Sequence, residues 1–149
     1  MSKYELPVLS ASDMPRVAFE SMNDTHFEEL ELINKLGASL LEGLQDKHFY
    51  DDISDKLSLW VEHTREHFAN ENQLMENCSF PALAVHSGEH QRVIEQLEKI
   101  QAQWLDQHQV EPLAEYVFND WVAWFDQHVN TMDMMTAQYL SQVFPESET

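Results

Sequence analysis

The segment H-T-R-E-H-F-A-N-E at residues 63–71 sets His63, His67 and Glu71 at intervals of four. Positions four apart stand nearly above one another on an α-helix, so these side chains form a column of imidazole and carboxylate, a donor set suited to metal. The same residue types recur at His26, at the pair His86 and His90, and at His128 with Asp133. With 8 histidines in 149 residues, one pair four apart is unremarkable, and the combination carries the information. Five imidazoles buried in a core without partners would be costly, and a metal ion satisfies them while keeping them neutral. Two other metal sites are disfavoured by spacing. No Glu stands three residues before a His, as ferritin-like E-x-x-H sites require, and the H-E-x-x-H of zinc hydrolases is absent.

The elements that must position these donors are helical. Gly (3) and Pro (5) are scarce, 3.6-residue periodicities are long, and no alternating run suggests a strand. The first helix is expected from a capping box of Thr25 and Glu28 to about Leu44, with Leu30, Ile33, Leu36 and Leu40 on its apolar stripe. The second starts between Asp51 and Ser54 and stops near Asn77; the third follows Pro81; the fourth starts near Pro112. Short connections make neighbours antiparallel, so the expected fold class is all-α, an up-down-up-down four-helix bundle over about 22–143. An N-terminal arm over 1–20 and a tail over 144–149 complete a single domain, 1–149. Every helix then contributes donors: His26 from the first, His67 and Glu71 from the second, His86 and His90 from the third, His128 and Asp133 from the fourth. Five residues of ideal helix turn about 500°, which leaves His128 and Asp133 some 140° apart. A one-turn π-bulge between Val129 and Met132 is therefore expected to bring them together.

These residues resemble the hemerythrins and their bacterial single-domain relatives. The resemblance is carried by M-N-D-T-H at 22–26, H-F-x-x-E ending at Glu71, H-x-x-x-H at His86 and His90, and H-x-x-x-x-D ending at Asp133. It implies a non-haem di-iron centre inside the bundle. One iron would take His86, His90 and His128, the other His26 and His67, with Glu71 and Asp133 bridging both beside an oxo or hydroxo ion. The second iron would keep an open position for dioxygen, in a pocket walled by Phe68, Trp124, Phe125, Val129 and Leu30. Five nitrogens and two carboxylates are too many donors for one ion and suffice for two. The expected function is reversible dioxygen binding, by a carrier, store or delivery protein rather than an enzyme. The alternative is a redox, oxygen or nitric-oxide sensor, or a peroxidase-like enzyme, on the same site. Glu29 departs from the family, which usually has an apolar residue there. Turned inward it would hydrogen-bond a bound ligand or coordinate the open iron. Burial of an unpaired carboxylate is expensive, so it is expected to face outward and leave the pocket to Leu30.

The balance of 27 acidic against 8 basic residues, net charge -19, repels nucleic acid and anionic membranes and suits a basic protein partner. The lone Cys78 cannot form an internal disulfide, no apolar run reaches the roughly 20 residues of a membrane span, and the start lacks the regions of a signal peptide. A cytoplasmic location is expected. His63 heads the column but lies one turn before the matching positions, and is expected at the surface or behind the ligands. His48 and His108, near helix ends, are expected in solvent, and Met132, Met134 and Met135 in the core.

Overall fold

The computed structural model describes residues 3–144, and the tail expected at 144–149 lies outside them except for Phe144. Among these residues four long helices form and no strand does. α1 is Glu20–Gly43, α2 is Tyr50–Asn77 and α3 is Leu83–Gln107. α4 spans 110–143; it is α-helical over Val110–Glu115, Val122–His128 and Met134–Val143, and π-helical over Tyr116–Trp121 and Val129–Asp133. The connections at 44–49, 78–82 and 108–109 are short enough to force antiparallel neighbours, giving the up-down-up-down bundle.

α1 begins more than a turn before the expected capping box. Thr25 is inside the helix, and its hydroxyl donates back to the Ser21 carbonyl at 3.0 Å instead of capping. The start is set by the arm. The Asn23 side chain accepts from the Val17 N–H at 2.8 Å and donates to the Val17 carbonyl at 2.9 Å, while Phe19, extended, is buried. A side chain that satisfies both backbone groups of a preceding residue competes with a hydroxyl cap further on. At the other end of the bundle α3 stops at His108, in the left-handed region at φ 51, with its N–H on the Trp104 carbonyl at 2.8 Å.

The core repeats at helical spacing: Ile33, Leu36 and Leu40 from α1, Ile53, Leu57 and Trp60 from α2, Leu97 and Trp104 from α3, Trp121, Phe125 and Leu140 from α4. Each such side chain contributes about 1.5–3 kcal/mol by leaving water. Met135 is not among them; it is 63% exposed, because the π turn before it rotates Asp133 and Thr136 inward and Met135 out. The arm crosses α1 at Gly37, where an added Cβ would overlap Val8 and approach Phe118 at 3.2 Å. Gly37→Ala is expected to cost about 1–3 kcal/mol through overpacking, although alanine favours a helix by about 1 kcal/mol. A lower denaturant midpoint at unchanged slope would show it. Among the described residues no helix is long and apolar enough to cross a membrane.

Candidate metal centre

The seven donors named from the sequence converge at the centre of the bundle, and all are buried. Their ligand-type atoms form two groups, each within 4.8 Å: Glu71, His86, His90, His128 and Asp133 in one, His26, His67 and Glu71 in the other. The two carboxylates divide their oxygens between these groups. Glu71 Oε2 lies 2.7 Å from His67 Nε2 and 4.0 Å from His26 Nε2, while Oε1 lies 3.3 Å from His90 Nε2 and 3.8 Å from His86 Nε2. Asp133 Oδ2 lies 3.0 Å from His26 Nε2, while Oδ1 lies 3.1 Å from His86 Nε2 and 3.2 Å from His128 Nε2. All five imidazoles turn Nε2 inward.

Asp133 reaches the centre because α4 widens. In the π turn at Val129–Asp133 the hydroxyl of Thr131 donates to the Gln127 carbonyl at 2.7 Å and the amide of Asn130 to the Asp126 carbonyl at 2.8 Å. Side chains thus satisfy carbonyls that the wider turn shifts away from their usual donors. A second π turn, Tyr116–Trp121, has no counterpart in the sequence reading. Neither have the groups that hold the imidazoles from behind. His86 Nδ1 is hydrogen-bonded to Thr136 Oγ1 at 2.7 Å and His90 Nδ1 donates to Asn72 Oδ1 at 2.8 Å, which turns each Nε2 toward the centre. The signal was present: Thr136 stands one turn after Asp133 and Asn72 follows Glu71.

A cation fits this arrangement. Glu71 Oε1, His90 Nε2 and Asp133 Oδ1 are buried with no hydrogen-bond partner, and an unsatisfied buried group costs roughly 1–3 kcal/mol. Burial pulls the His67 imidazole down, but the Glu71 carboxylate more than offsets this and raises it to about 9. Burial pushes Asp133 up, yet the imidazoles of His128, His26 and His86 set against its oxygens hold it well below the usual carboxylate range. His90 is lowered by burial, against the pull of Glu71. Five neutral donors around two carboxylates that stay ionised suit divalent or trivalent ions with mixed nitrogen and oxygen preference.

The side chains expected to wall a pocket are placed around these groups. Phe68 stacks on His90 at 4.0 Å and 5°, and Trp124 on His128 at 4.5 Å and 19°. Phe125 meets His26 edge-on at 5.7 Å, and Val129 and Leu30 are buried. The outward Glu29 expected from the sequence is corrected: its carboxylate is buried, 1% exposed. Two hydrogen bonds from α2 offset its desolvation, from the Thr64 hydroxyl at 2.6 Å and from His63 Nδ1 at 2.5 Å. His63 itself lies outside both donor groups. His48 is in solvent against Asp46, and His108 is exposed.

Trp124 also donates its indole N–H to Glu89 at 2.9 Å, and Glu89 receives Arg92 Nε at 2.6 Å. The Arg92 hydrogen bonds, with that of Trp124, bring Glu89 from 4.5 to about 2. Its folded value is the lower one, so the stability it contributes is complete above its unfolded value and lost as pH falls toward 2. The gap in unfolding free energy between wild type and Glu89→Gln is expected to shrink on going from about pH 7 to about pH 3, by chemical denaturation at each pH.

An antiparallel four-helix bundle around a buried cluster of five histidines and two shared carboxylates defines the class, a helical protein with an internal cation-binding centre. Residues 17–140 match the Hemerythrin HHE cation binding domain. The chain belongs to the hemerythrin family. It is similar to the bacteriohemerythrin of Aquifex aeolicus, 29% identical over 119 residues, 80% of this chain and 87% of that protein. It is 32% identical over 109 residues to the bacteriohemerythrin of Ralstonia nicotianae, 73% of this chain and 77% of that protein.

Proposed function

We propose that this protein binds dioxygen reversibly at a pair of iron ions, as a carrier, store or delivery protein. His86, His90 and His128 would hold one ion and His26 and His67 the other, with Glu71 and Asp133 spanning both. The observation that carries this reading is the division of each carboxylate, one oxygen toward three imidazoles and the other toward the remaining ones. Iron, when bound, supplies the electrons that dioxygen takes up on binding and returns on release. The chain's own part is to fix and to exclude. Thr136 and Asn72 orient two imidazoles, and Phe68, Phe125, Val129 and Leu30 keep water from the centre. The ligand set is rich in neutral nitrogen, which supports release of dioxygen over cleavage of its bond. A single half-buried cysteine and a net charge of -19 favour a reducing cytoplasm and, where a protein partner docks, a basic one.

One observation favours the second reading, a sensor or peroxidase-like enzyme on the same site: the buried carboxylate of Glu29 on the side of His26 and His67. Anaerobic oxygen titration of the ferrous protein, with iron counted on the same sample, separates the two. A charge-transfer spectrum that vanishes under evacuation is the expected result. Immediate, irreversible oxidation would replace the carrier reading with the second.

A further inference from the structure

Of the four tryptophans, Trp60, Trp104 and Trp121 are sealed in the core, whereas Trp124 is half-buried. Its indole lies over the His128 imidazole, ring centres 4.5 Å apart and planes 19° from parallel, and meets Phe68 edge-on at 6.0 Å. Phe68 in turn stacks on His90 at 4.0 Å. Two of the three imidazoles on one side of the metal centre are therefore joined by ring contacts to a side chain at the surface. The indole is held in place. Its Nε1 donates to Glu89 Oε2 at 2.9 Å, and Arg92 donates to both oxygens of Glu89, at 2.6 and 3.0 Å. A surface cavity of about 220 Å³ lies beside the stack, with Trp124, His128, Thr131 and Met132 among its walls. A side chain that had only to keep water out could be any large aliphatic one, with no fixed plane. An indole clamped face to face with a donor imidazole instead carries overlapping π orbitals from the surface to the centre.

We propose that Trp124 is the point at which electrons from a small one-electron donor enter the metal centre, crossing the Trp124–His128 stack. The proposal rests on the di-iron dioxygen reading, in which His128 holds one of the irons. Iron that has lost its electrons cannot lend them to dioxygen, so a carrier needs a way back to the ferrous pair. Each donor molecule gives up one electron and one ferric ion becomes ferrous. Two donors restore the pair, and no bond in Trp124 or His128 is made or broken. Electron tunnelling falls off exponentially with the gap between orbitals, so a conjugated ring in contact with a ligand ring outcompetes a path through saturated side chains. The donor is planar and conjugated, to meet the indole closely, and uncharged or cationic, because a chain of net charge -19 repels anions. The reduced ring of a flavin or a viologen has this chemistry.

The probe is methyl viologen, whose radical cation donates one electron and whose dication accepts one. Ferric-loaded wild type, Trp124→Phe and Trp124→Leu are mixed under nitrogen with the electrochemically generated radical, the fading of its colour is timed, and the reduction potential of each protein is measured alongside. Reduction is expected to slow severalfold in Trp124→Leu at unchanged potential, and to stay near the wild-type rate in Trp124→Phe, which keeps a ring on His128. Equal rates in wild type and Trp124→Leu, equal slowing in both variants, or slowing that a shifted potential accounts for would overturn the proposal. The metal-free protein gives a readout without iron, since the viologen dication quenches indole fluorescence by taking the excited electron and has to touch the ring to do so. Quenching is expected in wild type and is largely lost in Trp124→Phe, where only the three core tryptophans emit. Quenching of equal strength in Trp124→Phe overturns the proposal even if Trp124→Leu fails to fold. Failure of the di-iron reading shows separately, as missing iron, and the fluorescence comparison then decides alone whether electrons cross at Trp124.

Discussion

Glu71→Ala is expected to weaken iron binding by more than about 100-fold, because loss of a group that merely orients a ligand already costs 10–100-fold. The substitution withdraws an oxygen from each donor group at once: Oε2 from His67 and His26, Oε1 from His90 and His86. Iron per chain after dialysis against a weak chelator would measure it, and the oxygen-dependent absorbance falls with it. The metal-free variant stays folded, since alanine removes a carboxylate that is costly to keep in a dry core. Retention of both ions in Glu71→Ala would remove Glu71 from the donor set. A control lies one residue on. Asn72→Ala leaves the donors in place and frees His90 to rotate, so its loss is confined to the 10–100-fold range.

Stripping the metal is expected to lower the unfolding temperature by roughly 10 °C. An ion present at 1,000 times its dissociation constant, bound by the folded chain alone, stabilises by about 4 kcal/mol. For a chain of this length each kcal/mol is worth about 2–4 °C. The physical source is the cluster itself. Without a cation the core holds Glu71 Oε1, His90 Nε2 and Asp133 Oδ1 buried and partnerless, with two carboxylates among five imidazoles. Calorimetry or a dichroism melt, before and after chelation and again after ferrous iron is restored under nitrogen, measures the difference. Equal melting temperatures would mean that the cluster is held by its own hydrogen bonds and that metal adds nothing to the fold. Together the two experiments separate which residues bind from what binding contributes.

Helix number, order and most boundaries were legible because they rest on local periodicity. Ile33, Leu36 and Leu40, or Ile53, Leu57 and Trp60, show their buried face to anyone counting residues. The π turn at Val129–Asp133 was also legible, for a geometric reason: His128 and Asp133 cannot share a face of a regular helix. The start of α1 was not, because Thr25 and Glu28 satisfy the local pattern while Asn23 binds Val17 from within an arm whose path no local rule describes. Met135 was misjudged on the same ground, since its direction depends on how far a π turn rotates the chain.

By itself the sequence determined which residue types can meet: a histidine or carboxylate at helical spacing on each of four helices, with an excess of acid and no membrane-length apolar run. Tertiary structure alone decided how they meet. That Glu71 and Asp133 each turn one oxygen to each histidine group depends on the separation of four backbones, which the packing of the buried core fixes. Glu29 makes the same point more sharply. Its cost of burial is a property of one side chain, but the offset comes from Thr64 and His63 on another helix, 35 and 34 residues away. Desolvation is read locally; its compensation is a contact between distant segments, and only the folded chain contains it.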